Sequence, residues 1–211
     1  MTAVTFVDKI AATADVFRLL SACFYEPDKQ LFDEEDFFAQ LYTGLRRCLP
    51  HKASLAQELA AAMASNSQQD LLIEYARLFV GPQELLAHPY GSVYLDGPKI
   101  LMGNSTMNVI ERYREADFQI ATDLHEMPDH IAVELEFLYL LCYNEAQAES
   151  EQRHQDAYEW RDMGENFLNQ HLGRWTTFFC DKIRAGTDMA YFRVLAKLTE
   201  SFILSQAQKA G

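Results

Sequence analysis

The chain has 211 residues, of which 49% are hydrophobic and 23% are charged, and its formal net charge is −13. This composition is typical of a folded globular protein and excludes a largely disordered one. A strongly acidic chain disfavours sequence-independent binding to nucleic acids, which requires a basic surface. The charge therefore either favours a basic partner or serves solubility alone.

Membrane insertion and export are both disfavoured by the sequence. The longest apolar runs are interrupted by charges and are too short to span a bilayer. Residues 1–8 lack the basic region and apolar core of a signal peptide, so we expect a cytoplasmic protein. The four cysteines form no C-x-x-C pair, which disfavours a zinc site and fits reduced, buried thiols.

Apolar residues recur at helical spacing along most of the chain, without a reliable strand pattern or repeat. Capping residues, prolines and glycines mark the ends of the segments. The predicted helices cover residues 4–25, 31–49, 55–64, 70–80, 104–118, 128–148, 151–172, 175–185 and 188–206. The predicted fold is therefore all-α, a single globular bundle-like domain over residues 1–211.

Residues 81–103 differ from the rest, because they hold four of the nine glycines and three of the six prolines. Only Ser92 to Leu95 could be extended here, so we predict a long, nearly unstructured loop of a kind that is often functional. The alternative is a hinge or linker at residues 81–104, which would permit a domain-swapped dimer as well as a monomer. Tyr90 and Tyr94 in this loop could serve as packing lids or as ligand anchors.

The most apolar segment is residues 127–143, MPDHIAVELEFLYLLCY. Pro128 suits a first helical turn, and Asp129 can cap the free amides of a helix N-terminus. The apolar side chains then cover most of the helix surface, which is typical of a buried helix. We expect this helix to be the core around which the others pack.

Two acids, Glu134 and Glu136, interrupt this apolar run. A buried carboxylate requires a partner, and His130 lies four residues before Glu134 on the same side of the helix. One interpretation is a helix cap with a satisfied His130–Glu134 pair. The functional alternative is a polar binding corner at the start of the helix.

Catalytic and metal-binding motifs are weak in this sequence. It contains no G-x-S-x-G, no P-loop and no dinucleotide fingerprint. His125 and Glu126 imitate the start of H-E-x-x-H, but Asp129 stands at the second ligand position and Pro128 disrupts the helix. Glu151 to His154 is a single E-x-x-H, whereas di-iron bundles need two. We therefore expect a solvated helix end there, and no catalytic residue, metal site or cofactor.

Three segments together are specific: EYARLFVGP at residues 74–82, PYGSVY at 89–94 and MPDHIAVELEF at 127–137. Their order and spacing resemble the TorD/DmsD family of redox-enzyme maturation chaperones, and the resemblance covers essentially the whole chain. One departure is Tyr90, because this loop aromatic is often Trp in dimethyl-sulfoxide-reductase chaperones. The identity of the client enzyme therefore stays open.

The resemblance implies an all-α, cytoplasmic, non-enzymatic protein. Such a chaperone binds the twin-arginine signal peptide and apoprotein of a molybdenum-cofactor oxidoreductase of the dimethyl-sulfoxide or trimethylamine-N-oxide reductase type. It delays export until folding and cofactor insertion are complete. By motif match, the resemblance assigns signal-peptide binding to Tyr90, Gly91, Ser92, Tyr94, Asp129 and His130.

The residue chemistry is compatible with that assignment. Asp129 could receive an arginine of the peptide, while Tyr90 and Tyr94 could cover its apolar middle. Lysine in place of arginine would lose a bidentate contact. The alternatives are a nitrate-reductase-type assembly chaperone for a non-exported subunit and, from another class, a metal-dependent or nucleotide-hydrolysing helical enzyme.

Overall fold

The computed structural model describes residues 5–81, 85–120 and 126–207, and these form eleven α-helices and no β-strand. The helices are α1 (Phe6–Ala22), α2 (Lys29–Glu34), α3 (Phe37–Cys48), α4 (Ser54–Ala64), α5 (Gln68–Tyr75), α6 (Gly91–Leu95), α7 (Asn104–Glu115), α8 (Ile131–Ser150), α9 (His154–Phe167), α10 (Gly173–Gly186) and α11 (Ala190–Ala207). A 3₁₀ turn at Pro50–Lys52 and π turns at Ala76–Val80 and Leu168–Leu172 adjoin these helices. The predicted all-α fold is confirmed.

Helix α8 lies at the centre of the fold, as its apolar sequence predicts. Ile131, Leu135 and Leu138 are fully buried within it. Helix α1 packs along one side of α8 and α9 along another, while α3 covers the outer side of α1. Burial of each such side chain contributes about 1.5–3 kcal/mol, so this helix supplies much of the hydrophobic stabilisation.

The predicted second helix, residues 31–49, is wrong as a single element. The chain leaves α2 after Glu34, turns through a left-handed Asp36 (φ 50°) and restarts as α3. Four consecutive acids, residues 33–36, explain the break. They are unfavourable at the negative C-terminal end of one helix and favourable at the positive N-terminal end of the next.

The segment after α5 is more ordered than the sequence indicates. Residues 82–84 lie outside the described part of the chain, but Gly91–Leu95 forms the short helix α6. The expectation that Ser92 to Leu95 could be extended is therefore wrong. The segment is held by backbone hydrogen bonds to residues 129–131, which a sequence pattern of local turns does not reveal.

Elements on both sides of this segment pack against each other. Phe79 from the π turn that follows α5 lies 6.4 Å from Phe24 and 6.0 Å from Phe179 of α10, measured between ring centroids. Phe24 and Phe179 are in turn 5.6 Å apart. This shared core is what one domain needs, although single-domain organisation over residues 1–211 stays a prediction.

Gly173 does not end a helix, contrary to the predicted boundary at residue 172. The chain remains helical through the π turn Leu168–Leu172 and continues directly into α10. A Cβ at Gly173 would lie 2.6 Å from the carbonyl oxygen of Leu168. Glycine is therefore needed here because the wide π turn brings the backbone into close contact.

Cys23, Cys48, Cys142 and Cys180 form no disulfide in the structure, and three of them are buried. Within the described ranges, no helix has the length and apolarity required to cross a membrane.

Leu138→Ala should lower the free energy of unfolding by about 2–5 kcal/mol, because the truncation leaves a cavity in the centre of α8. Urea unfolding monitored by circular dichroism measures this change. Leu31→Ala is the matched control, since Leu31 on α2 is 48% exposed. The control should change stability by only about 0.5 kcal/mol. Equal midpoints for the two variants would contradict the central position of α8.

Candidate functional site

The two sequence motifs at residues 89–94 and 127–137 meet in one corner of the fold. The amide of Gly91 donates to the carbonyl of Asp129 (2.9 Å), and the amide of Ile131 donates to the carbonyl of Pro89 (2.8 Å). These bonds form a single antiparallel bridge between Tyr90 and His130. The structure thus brings together all six residues that the resemblance assigns to the site.

The start of α8 differs from its prediction. Pro128 lies in a turn before the helix, and His130 is the N-cap, where its Nδ1 accepts a hydrogen bond from the amide of Ala132 (3.2 Å). The Asp129 carboxylate instead accepts through Oδ2 from the amide of Ser92 (2.8 Å). Asp129 therefore caps α6 and ties the loop to the start of α8.

Asp129 and Ser92 are both fully buried. Among the described atoms, Asp129 Oδ1 and Ser92 Oγ have no hydrogen-bond partner. An unpaired carboxylate oxygen in a buried environment is costly. Both atoms could still form a hydrogen bond that no described residue supplies.

The expected His130–Glu134 pair is wrong. Glu134 accepts from Trp175 Nε1 through Oε2 (3.2 Å), and its Oε1 lies 2.6 Å from His171 Nε2. The His130 ring is turned towards the backbone of α8, and its Nε2 lies 3.8 Å from a Glu126 oxygen. The true partners come from the π turn and α10, which are about 40 residues further along the chain and invisible to local spacing.

The two histidines have opposite pKa shifts. Burial lowers the pKa of His130 to about 4. Burial would also lower the pKa of His171, but the charge of Glu134 and the hydrogen bond to it outweigh that effect and raise it. Burial raises the pKa of Glu134, and the contact with His171 offsets part of that rise.

Gly91 lies directly against this buried group. A Cβ at Gly91 would be 3.1 Å from Trp175 Nε1, 3.2 Å from His171 Nε2 and 3.3 Å from Glu134 Oε1. The glycine is required because the loop backbone approaches these three side chains closely. The position of the loop thus depends on the buried Glu134 group.

The aromatic side chains of the loop are partly buried and partly open to solvent. The Tyr94 ring stacks on Trp175 at 5.6 Å with an interplanar angle of 13°, and its hydroxyl donates to the carbonyl of His88 (2.9 Å). The Tyr90 ring lies 5.4 Å from the His130 ring. Both side chains pack against the fold and are partly exposed, as the lid and the anchor interpretations each require.

Two further acids lie next to His130 and its neighbour Tyr25. Glu126 contacts His130 and is 29% exposed, and burial raises its pKa. Glu136 accepts from the Tyr25 hydroxyl (2.9 Å), and the Tyr25 ring stacks on His130 at 6.2 Å. We call Tyr25, Tyr90, Glu126 and Glu136 the acidic patch.

Sequence reasoning gave no role to Tyr25 and none to Glu126 in binding. It singled out Glu136 only as an acid inside an apolar helix, which requires a polar partner or a ligand. His171 and Trp175 lie in the predicted helices 151–172 and 175–185, and nothing local connects them with Glu134.

The described residues of the two weak metal motifs have other partners. His125 lies outside the described residues. Glu151 bonds to Arg153 (2.8 Å), and His154 Nδ1 lies 3.0 Å from Glu149. This is the solvated helix end that the sequence predicts. Over the described ranges, no group of three or more His, Cys, Asp or Glu residues is arranged to hold a metal ion.

Comparisons with known proteins agree with the resemblance. The family model described as nitrate reductase delta subunit matches residues 46–181. The Tat proofreading chaperone DmsD of Salmonella typhimurium is 28% identical, over 90% of this chain and 85% of its own. The chaperone protein TorD of Shewanella pealeana is 25% identical, over 96% of this chain and 90% of its own.

A solved structure supports the fold alone. It is described as a redox enzyme maturation protein from Archaeoglobus fulgidus and is 19% identical, with a TM-score of 0.56. The match covers 90% of this chain and 93% of that one.

Gly91→Ala should destabilise the protein by about 1–3 kcal/mol, because the added methyl group overpacks the contact with Trp175, His171 and Glu134. Thermal and urea unfolding measure this effect. Gly164→Ala is the matched control, since its Cβ would meet only Leu141 carbons at 3.9 Å or more. Alanine within helix α9 should stabilise the chain by about 0.5–1 kcal/mol. The same sign for both variants would contradict the close contact at Gly91.

The pH dependence of stability should show two limbs. The unfolded pKa of histidine is about 6.5. The pKa of folded His130 is about 4, so the stability that neutral His130 contributes is fully present above about pH 6.5 and is lost as the pH falls towards 4. The folded pKa of His171 is raised, so its contribution is present below about pH 6.5 and lost as pH rises through the raised pKa. The raised pKa of Glu134 acts in the same direction as His171.

Urea unfolding between about pH 4 and about pH 9, a range that brackets the titration of His130 and His171, tests the predicted direction of each limb. The measurement compares the wild type with two variants. His130→Gln should flatten the acid limb, and His171→Gln should flatten the alkaline limb. Parallel profiles for wild type and both variants would show that these histidines do not control the pH dependence.

Proposed function

The chain belongs to the nitrate reductase delta subunit family, which includes the TorD and DmsD chaperones, and from this premise we propose that it binds a twin-arginine signal peptide at the corner of Tyr90 and His130. It is a chaperone of molybdoenzyme maturation and not an enzyme. Its partners are the signal peptide and apoprotein of such an oxidoreductase. We place its action in the cytoplasm, before export of the client.

The observation that carries the proposal is the acidic patch beside the aromatic corner. Glu126 and Glu136 lie on either side of Tyr25 and His130, and all four belong to one contact network. A guanidinium group can make two hydrogen bonds to a carboxylate and can stack on a tyrosine ring. Two acids and two tyrosines together match a pair of arginines.

Asp129 has a different part in this proposal from the one that its sequence position suggests. Because it is fully buried and bonded to Ser92, a direct contact with an arginine would require the loop to move. We therefore assign the arginine contacts to Glu126 and Glu136. Gly91, Ser92, Asp129 and His130 shape the corner, and Tyr90 and Tyr94 contact the peptide.

A groove next to the corner offers an apolar surface on which the middle of the peptide can pack. A groove of about 450 Å³ is lined by Leu86, Val93, Tyr94 and Pro98 together with Lys99 and Lys182. It adjoins the corner because His88, another lining residue, is only two residues from Tyr90. The two lysines would repel arginines, so the basic end of the peptide is expected at the acidic patch and the apolar middle at this groove.

The alternatives have less support. A chaperone for a non-exported subunit would need no twin-arginine recognition, whereas the curated relatives include proteins named Tat proofreading chaperones. A metal-dependent or nucleotide-hydrolysing enzyme fits neither those relatives nor the described side chains.

Glu126→Gln should weaken binding of a dimethyl-sulfoxide-reductase-type signal peptide by about tenfold, because it removes a charge-assisted contact. A Lys-Lys version of the peptide should also bind more weakly. The further loss caused by Lys-Lys should be smaller in Glu126→Gln than in wild type, since both changes remove the same contact. Calorimetric titration at two salt concentrations measures all four combinations.

Glu111→Gln is the matched control, because Glu111 is an exposed acid on α7 outside the acidic patch. Equal weakening by Glu126→Gln and Glu111→Gln would assign the effect to overall charge and remove the patch from the site. A wild-type chain that binds neither peptide saturably would overturn the proposed function itself.

A further inference from the structure

A polar cleft of about 550 Å³ lies between α7 and the π turn that joins α9 to α10. From α7 it is lined by Asn104, Asn108 and Arg112, and from the opposite side by Asn169, Gln170 and Arg174. Its volume lies in the range of small-molecule sites, and it is too small for a folded partner. Neither the chaperone function nor the acidic patch involves these residues.

Two arginines and one histidine face this cleft in a chain whose net charge is −13. Arg112 donates to Gln170 Oε1 (2.9 Å) across the cleft and lies 3.9 Å from Glu115. Arg174 has no hydrogen bond or ion pair with any described residue. His171 is 7% exposed and lies 2.6 Å from Glu134, which favours its protonated form.

One acid also lines the cleft, but its carboxylate is already occupied. Both Asp96 oxygens accept from the amide of Ser105 (3.2 and 3.0 Å), and Oδ2 also accepts from the Ser105 hydroxyl (2.6 Å). The positive end of α7 is therefore satisfied by Asp96. The net attraction for an anionic ligand comes from Arg112 and Arg174, because the charge of His171 is balanced by Glu134.

We propose that this cleft binds the phosphate group of a small molecule, with Arg112 and Arg174 as its main contacts and His171 at the floor. The guanidinium fork matches phosphate oxygens, and a doubly charged group makes fuller use of two guanidinium groups than a single carboxylate does. The carboxamides of Asn108 and Asn169 supply donors and acceptors for the remainder of the ligand.

The backbone supports a binding role for this region. Residues Leu168–Leu172 form a π turn, and π turns inside helices occur frequently at functional sites. The turn places Asn169, Gln170 and His171 in succession along one edge of the cleft. The floor residue His171 also lies behind Gly91, so the cleft and the peptide corner share one wall.

Calorimetric titration of the full chain at constant ionic strength tests the proposal with inorganic phosphate, pyrophosphate and glycerol 3-phosphate, and with acetate as the carboxylate probe. We expect saturable binding of the phosphate compounds and none of acetate. Tighter binding of glycerol 3-phosphate than of inorganic phosphate would identify an organic phosphate as the ligand. The reverse order would identify the free anion.

Arg112→Gln and Arg174→Gln should each weaken phosphate binding about tenfold. Arg114→Gln is the matched control, because Arg114 is exposed on the same helix and does not line the cleft. Thermal melting shows whether each variant is folded. Equal loss in all three variants, binding of acetate as strong as that of phosphate, or no saturable binding of any phosphate compound at millimolar concentration would each overturn the proposal. None of these titrations involves the signal peptide, so their outcome is independent of the proposed function.

Discussion

The burial of the Glu134 carboxylate is the constraint on which the rest of this structure depends. A carboxylate in the middle of the most apolar helix is costly unless it is paired, and among the described side chains His171 and Trp175 are the ones that hydrogen-bond to it. These contacts fix the π turn and α10 against α8. Gly91 then packs on the same three side chains, so the position of the loop follows from the pairing of one acid.

Hydrogen bonds hold the loop corner in one conformation in the structure in spite of its glycine and proline content. Two backbone hydrogen bonds join residues 89–91 to residues 129–131, and the Asp129 carboxylate caps α6 from below. A preformed corner loses less conformational entropy when it binds a flexible peptide. Buried residues of the two motifs hold the shape, and partly exposed residues at its edge, Tyr90 and Glu126, are available for contact.

Charge is distributed unevenly over this acidic chain. The acidic patch lies on one side of the corner, while the cationic cleft lies beyond His171 on the other. Glu134 and His171 separate the two regions as a buried pair of opposite charges. Such a separation allows one small domain to offer a site for arginines and a site for an anion, because the two buried charges balance each other and solvent and salt screen the exposed charges on the two surfaces.

The sequence by itself determined the all-α class, the buried position of α8 and the two motifs that form the corner. Helical periodicity and capping are local properties, so they can be seen in the order of residues. Only the tertiary structure decided the partner of Glu134, the capping of α6 by Asp129 and the membership of Tyr25 and Glu136 in the acidic patch. These contacts join residues 37 to 111 positions apart, and the energetic cost of an unpaired buried acid shows that a partner exists without showing where it lies in the chain.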